Sequence, residues 1–153
     1  MLLVMFVMMG SSKSGDVMAL EFVDVVRGLW DCWDDDAIIK DFKTGRYIDE
    51  SKVRTLDHKG KFFSVRGPLN GSRSPQGQPI ILQAGGSERG QALAARTADV
   101  VFSVVQDFEE ARLAYAGLKE RVKRFGRDPD EVCILPGVMP VVGRTDAHAM
   151  EIL

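Results

Sequence analysis

Apolar and polar positions along this chain follow two different periods, and the change of period divides it into elements. A helical spacing starts at Asp16, an N-cap after the flexible polar break Gly10-Ser-Ser-Lys-Ser-Gly15. It runs through Ala19, Phe22, Val23, Val26, Leu29, Trp30 and Trp33. These positions share one face, so the spacing predicts an amphipathic helix whose two tryptophans serve packing. Asp34, Asp35 and Asp36 oppose the dipole at a helix C-terminus, which puts the helix end before them and the three aspartates in a solvated loop. From Asp41 to Gln78 no helical period persists. Gly, Pro, Asp, Asn and Ser punctuate short apolar pieces such as Phe62-Phe63-Ser-Val65, which predicts a long excursion with one or two short strands. Insertions of this length usually cover a site or a subunit contact. His58, between Asp57 and Lys59 in this stretch, is expected to be solvated rather than catalytic.

The order becomes regular from Pro79. Pro79-Ile-Ile-Leu-Gln-Ala84 reads as a buried strand that stops at Gly85-Gly86, and Ser87 then caps an alanine-rich helix over Glu88–Thr97. Asp99-Val-Val-Phe-Ser-Val104 is a second strand. Asp107-Phe-Glu-Glu110 is a capping box for a helix with Phe108, Ala111, Tyr115, Leu118, Val122 and Phe125 on one stripe, ended by Gly126. Asp128-Pro-Asp is a turn, Val132 to Val142 an extended segment, and Thr145 the cap of a last helix. Strands and helices in strict alternation with short connections predict an α/β fold with parallel strands. Three such units do not close a (β/α)8 barrel, which takes about 250 residues, so part of a barrel or a smaller open sheet is expected. The apolar set Ala149, Met150, Ile152 and Leu153 has no C-cap after it, which suggests truncation.

The composition, 153 residues with 45% hydrophobic and 27% charged, is that of one globular domain. A net charge of -2 gives no global attraction to nucleic acid or an anionic membrane, so any anion site must be local. Cys32 and Cys133 belong to no CxxC or Cys/His cluster. Both are expected to be buried or half-buried in a reducing compartment, with no metal site and no disulfide. The apolar run Met1 to Met9 is about half of the ~20 residues a membrane helix needs. It also lacks the basic start of a signal peptide, and reads as a buried strand or an unrelated start.

The local anion site falls at the glycines. Beyond the strand end, Gly85 and Gly86 can take backbone angles that side chains forbid, while Ser87 caps a helix whose first amides point outward. The spacing matches neither GxGxxG nor GxxxxGK[ST], so a small nucleotide-binding domain of those types is a weak alternative.

Several motifs in order carry a more specific resemblance: Glu21-Phe-Val-Asp-Val-Val-Arg-Gly-Leu-Trp30, Asp57-His-Lys-Gly60, Phe63-Ser-Val-Arg-Gly-Pro-Leu69, Pro79 to Gly90, Ala95-Arg-Thr-Ala98 and Ile134-Leu-Pro-Gly137. From about Val17 to Leu153 the chain resembles the flavin-dependent monooxygenases of the bacterial luciferase-like superfamily, in the nitrilotriacetate and dibenzothiophene-sulfone monooxygenase group. The resemblance implies a C-terminal fragment of such an enzyme: a partial TIM-type (β/α)8 barrel over 16–153 with an insertion at about 41–78, after an atypical segment 1–15. It implies a cytoplasmic flavoprotein that uses O2 and reduced FMN, supplied by a separate NAD(P)H-dependent flavin reductase, to oxidise a small organic substrate. Homo-oligomers are typical of the full-length family, without nucleic-acid or membrane partners.

Carried over, Gly85, Gly86 and Ser87 correspond to the FMN phosphate contact, with Gln83 and Ala84 near the flavin or ribityl chain. Relatives commonly have a second serine where this chain has Gly86. Arg89 is either a further phosphate ligand or a solvent-facing helix residue, and the insertion corresponds to a segment that packs over the barrel mouth and contributes to the substrate channel or the subunit interface. The strands that wall the isoalloxazine ring in the family precede the Glu21 helix and have no counterpart here. No catalytic residue is therefore assigned, and the chain alone is expected to be inactive. The alternative is a non-catalytic FMN- or phosphate-binding or assembly module.

Overall fold

The computed structural model describes residues 3–6, 13–105 and 107–153, with side chains for 15–105 and 107–153. Its central feature is a four-stranded parallel sheet formed by β1 (Leu3–Phe6), β6 (Ile80–Ala84), β7 (Val100–Ser103) and β8 (Cys133–Pro136), adjacent in that order. The helices α1 (Lys13–Trp30), α2 (Glu88–Thr97) and α3 (Phe108–Arg124) connect successive strands, and α4 (Asp146–Ile152) follows β8. Among the described residues the sheet is open and closes no barrel.

Residues 3–6 of the apolar N-terminal run form a strand, in register Leu3 with Ile80 through Phe6 with Gln83. The predicted break before Asp16 is shorter than expected. Residues 10–12 lie outside the described residues, whereas Lys13, Ser14 and Gly15 already belong to α1 and Asp16 sits in its first turn. The helix ends at Trp30, before the aspartates, as the dipole argument requires. Trp33 is therefore beyond the helix rather than on its stripe, and its indole Nε1 donates to the Leu69 carbonyl at 2.8 Å. Ala19 and Val23 of the stripe are buried; Phe22 is more open and rests on the Phe63 ring, with centroids 5.8 Å apart.

From Pro79 onward the expected elements appear with boundaries shifted by a residue or so, except that the extended segment expected over Val132 to Val142 is a strand only as far as Pro136. Ser87, Asp107 and Thr145 cap α2, α3 and α4, each accepting from the backbone N–H three residues on. Gly126 closes α3 with φ of 75°, the left-handed geometry that favours glycine at this place. The stripe predicted on α3 is only partly a core stripe: Leu118 and Val122 are buried, while Phe108, Tyr115 and Phe125 remain exposed. Leu118 and Val122 join Ala94, Ala95 and Ala98 from the α2 region, with Val101 and Val132 from the sheet side, in one apolar cluster.

The sheet has two unlike faces. In register, Gln83, Val101 and Ile134 share the face that carries this cluster. Leu82, Val100 and Cys133, then Ala84, Phe102 and Leu135, share the opposite one. No described helix covers that second face: Phe102 is 40% and Leu135 46% exposed. Cys133 accordingly corrects the expectation for the cysteines. Cys32 is buried, but Cys133 is exposed because its register puts it on the uncovered face.

The excursion between α1 and β6 holds four short strands rather than one or two. β2 (Ile38–Asp41) pairs antiparallel with β3 (Arg46–Ile48), and β4 (His58–Lys59) with β5 (Ser64–Val65). The aspartates after α1 are not simply solvated. Arg73 pairs with Asp31 and Asp35, Arg54 with Asp34 at 2.6 Å, and Lys52 with Asp36, tying the insertion to the end of α1.

Candidate functional site

The turn at the end of β6 is built by competing demands on its backbone. β6 alternates, so Ile81 and Gln83 are buried at 1% and 2% exposure while Ala84 turns to the other face. The strand then runs into Gly85, Gly86 and Ser87, all exposed. The Ser87 hydroxyl oxygen accepts from Gly90 N at 3.1 Å, and its hydrogen remains a donor. Neither Gly85 nor Gly86 adopts the left-handed backbone expected of them; the glycines with positive φ are Gly45, Gly67, Gly77 and Gly126. What glycine provides here is room, since a Cβ at Gly86 would meet nothing within 4 Å.

Above this turn opens a cleft of about 660 Å³, bounded by Ala84, Gly85 and Gly86, by Gln91 of α2, by the ends of β7 and β8, and by Ala111, Ala114 and Tyr115 of α3. Among the described residues, none lining it carries a charged side chain. Any anion held there would be met by backbone amides of the turn and the positive end of the ten-residue α2 dipole, while the Ser87 side chain borders a separate small pocket shared with Asp16 and Arg89. That donor set and the open space at Gly86 fit a phosphate group.

The structure brings Gly85, Gly86 and Ala84 together at the cleft, with Ser87 at the helix start. Gln83 lies beneath: its side chain turns toward α2 and its Nε2 donates to the Gly90 carbonyl at 3.2 Å. Arg89 reaches α1, where its Nε is 3.5 Å from the Asp16 carboxylate. Gln91, Ser103 and Tyr115 were not singled out from the sequence although they line the cleft. Gln91 falls one helical turn after Ser87, and that i, i+4 spacing was the available signal. Among the described residues there is no group of three or more His, Cys, Asp or Glu side chains able to hold a metal ion, and no helix long and apolar enough to cross a membrane.

None of the described residues lining the cleft belongs to the insertion. The insertion grips α1 instead. His58 Nε2 lies 3.1 Å from Glu21 Oε1, and the amides of Phe62 and Phe63 donate to the same carboxylate, the latter at 2.8 Å. His58, expected in solvent, is thus a half-buried partner in a structural latch. A Cβ on Gly60 would fall 2.0 Å from Glu21 Oε1, so a side chain there would push the carboxylate out of the latch.

Burial pushes the Glu21 carboxyl up, but the hydrogen bonds from His58, Phe63 and Phe62 and the histidine's charge together outweigh it and hold Glu21 below the usual carboxylate value. A carboxylate with a depressed folded-state pKa contributes stability that is complete above its unfolded pKa and lost as pH falls through the folded one. Glu21→Gln is therefore expected to lower thermal stability at neutral pH and to shrink the difference from the native chain as the buffer is acidified below the carboxylate range. A stability difference constant with pH would contradict it.

Parallel strands joined by helices, with a glycine turn at the C-terminal end of one of them, define an α/β protein with an open sheet. The sequence pattern of the luciferase-like monooxygenases matches residues 5–153, and the chain belongs to that family. It is 50% identical over 131 residues to N-acetyl-S-(2-succino)cysteine monooxygenase of Bacillus subtilis (strain 168), covering 86% of this chain and 30% of the relative. It is 46% identical over 131 residues to dibenzothiophene-sulfone monooxygenase of Rhodococcus erythropolis, covering 86% and 29%. Among solved structures, a riboflavin lyase with modified FMN and its substrate riboflavin superposes with a TM-score of 0.86 at 31% identity, covering 95% of this chain and 32% of that one. The chain thus spans roughly a third of the length of these relatives.

Proposed function

We propose that this chain is the phosphate-holding part of a flavin-dependent monooxygenase, with Gly85, Gly86 and Ser87 receiving the FMN phosphate. The observation that carries the reading is the glycine turn before α2, with open space at Gly86, beside a cleft of about 660 Å³ whose described lining carries no charged side chain. Family membership and the likeness to a structure containing modified FMN support it. Reduced FMN, delivered by a separate NAD(P)H-dependent reductase, supplies the activation of O2. The chain's own share is narrower. Backbone amides and Ser87 anchor the phosphate, Ala84 borders the cleft where the ribityl chain would start, and Gln83 supports the turn from below. The substrate class is a small organic molecule and the compartment the cytoplasm, with assembly into homo-oligomers.

Chemistry in such a site also requires walls that exclude water from the flavin ring. The exposed second face of the sheet, with Phe102 and Leu135, provides only one side of such an enclosure. This 153-residue chain is therefore expected to bind FMN without turning over substrate. The check is oxidation of N-acetyl-S-(2-succino)cysteine, the compound in one relative's name, with FMN, NADH, a flavin reductase and air; sustained product formation would contradict the expectation.

A second reading, a non-catalytic FMN-binding or assembly module, draws on the same uncovered apolar face, because open parallel edges and apolar surface favour association. Size-exclusion chromatography together with an FMN titration separates the two.

A further inference from the structure

We infer that Gln83 and Gln91 are positioning residues for the phosphate-holding turn, gripping its two ends from below and above; this rests on the FMN reading given above. Gln83 is 2% exposed, and its Nε2 donates to the Gly90 carbonyl at 3.2 Å. Gln91 stands on the cleft side, and its Nε2 donates to the Gly86 carbonyl at 3.3 Å. The two carbonyls bracket the start of α2.

A trans peptide group is planar, with its C=O and the following N–H pointing in opposite directions. Holding the Gly86 carbonyl therefore sets the direction of the Ser87 N–H, which belongs to the first turn of a helix and has no intrahelical acceptor. Holding the Gly90 carbonyl sets the Gln91 N–H, which donates to the Ser87 carbonyl at 2.9 Å. Gly90 N donates to Ser87 Oγ, so the same residue also fixes the capping hydroxyl. The packing there is close: a Cβ on Gly90 would lie 3.1 Å from Ser87 Oγ. A neutral amide suits the task, since a buried charge at position 83 would need a partner of its own. Both glutamines act through backbone groups, and neither is assigned a contact with the phosphate.

Gln83→Met and Gln91→Met keep side-chain length while removing the donor. In the ligand-free 153-residue chain, hydrogen exchange at the Gly90 and Gln91 amides should accelerate about three- to tenfold in each variant, the size expected for one lost hydrogen bond. FMN affinity should fall by a similar factor, and by more than affinity for riboflavin, which lacks the phosphate. Unaltered exchange overturns the inference whether or not flavin binds. Equal losses for FMN and riboflavin overturn it too, since they report general damage to the site. If the native chain binds no FMN, the phosphate reading fails, and the exchange measurement still decides the clamps. Should Gln83→Met fail to fold, the half-exposed Gln91 decides alone.

Discussion

Replacing Gly86 by aspartate will lower FMN affinity at least about a hundredfold and leave the fold intact. The position is exposed, its backbone is in no left-handed region, and an added Cβ meets nothing within 4 Å, so the substitution carries no packing penalty. What changes is charge. Among the described residues no charged side chain lines the cleft, so an anion there is met by amides and a helix dipole alone. A carboxylate placed there opposes the phosphate directly and competes for the same amide donors; like charges brought together across a binding interface cost several kcal/mol. Isothermal titration with FMN measures the loss, and an unchanged melting temperature shows that it is local. Gly86→Ala, which adds volume without charge, should be much milder.

Leu118→Ala will produce the largest loss of stability among single truncations on α3. Leu118 is 5% exposed and packs with Val122, Val101, Val132 and the alanines of α2 in the cluster that holds both helices on the sheet. Truncating a buried leucine to alanine costs about 2–5 kcal/mol, the range reflecting how far the cavity can collapse. A domain of this size loses roughly 2–4 °C of melting temperature per kcal/mol. Thermal denaturation should therefore show a drop well outside error, whereas truncating Leu113, 64% exposed on the same helix, should leave the midpoint nearly unchanged. Leu118 also lines the cleft, so the same variant should loosen its α3 wall.

The elements from Pro79 to the last helix were legible because their signals are local. Ser87, Asp107 and Thr145 bond to amides three residues away, and Gly126 acts on the turn beside it. The resemblance to the luciferase-like monooxygenases rested on the same ordered segments. What the sequence hid were partners distant along the chain. His58 looked solvated because its partner Glu21 lies 37 residues away, and the aspartates after α1 looked free because Lys52, Arg54 and Arg73 lie in the insertion.

Gln83 shows the same limit within a site. Its place at a strand end suggested a ligand contact, but strand alternation turns its side chain toward α2. Cys133 is the reverse case: an apolar strand suggested burial, and only the register reveals that its face is uncovered. Period shows which residues share a face, and the face's cover must come from elsewhere in the fold.

The most direct measurement is a parallel titration of the native chain with FMN and with riboflavin, followed by flavin fluorescence. If the Gly85-Gly86-Ser87 turn holds the phosphate, FMN binds saturably and at least about tenfold more tightly than riboflavin, the advantage expected of charge-assisted hydrogen bonds to one anionic group. Equal affinity for the two flavins, or no binding of FMN, would contradict the account.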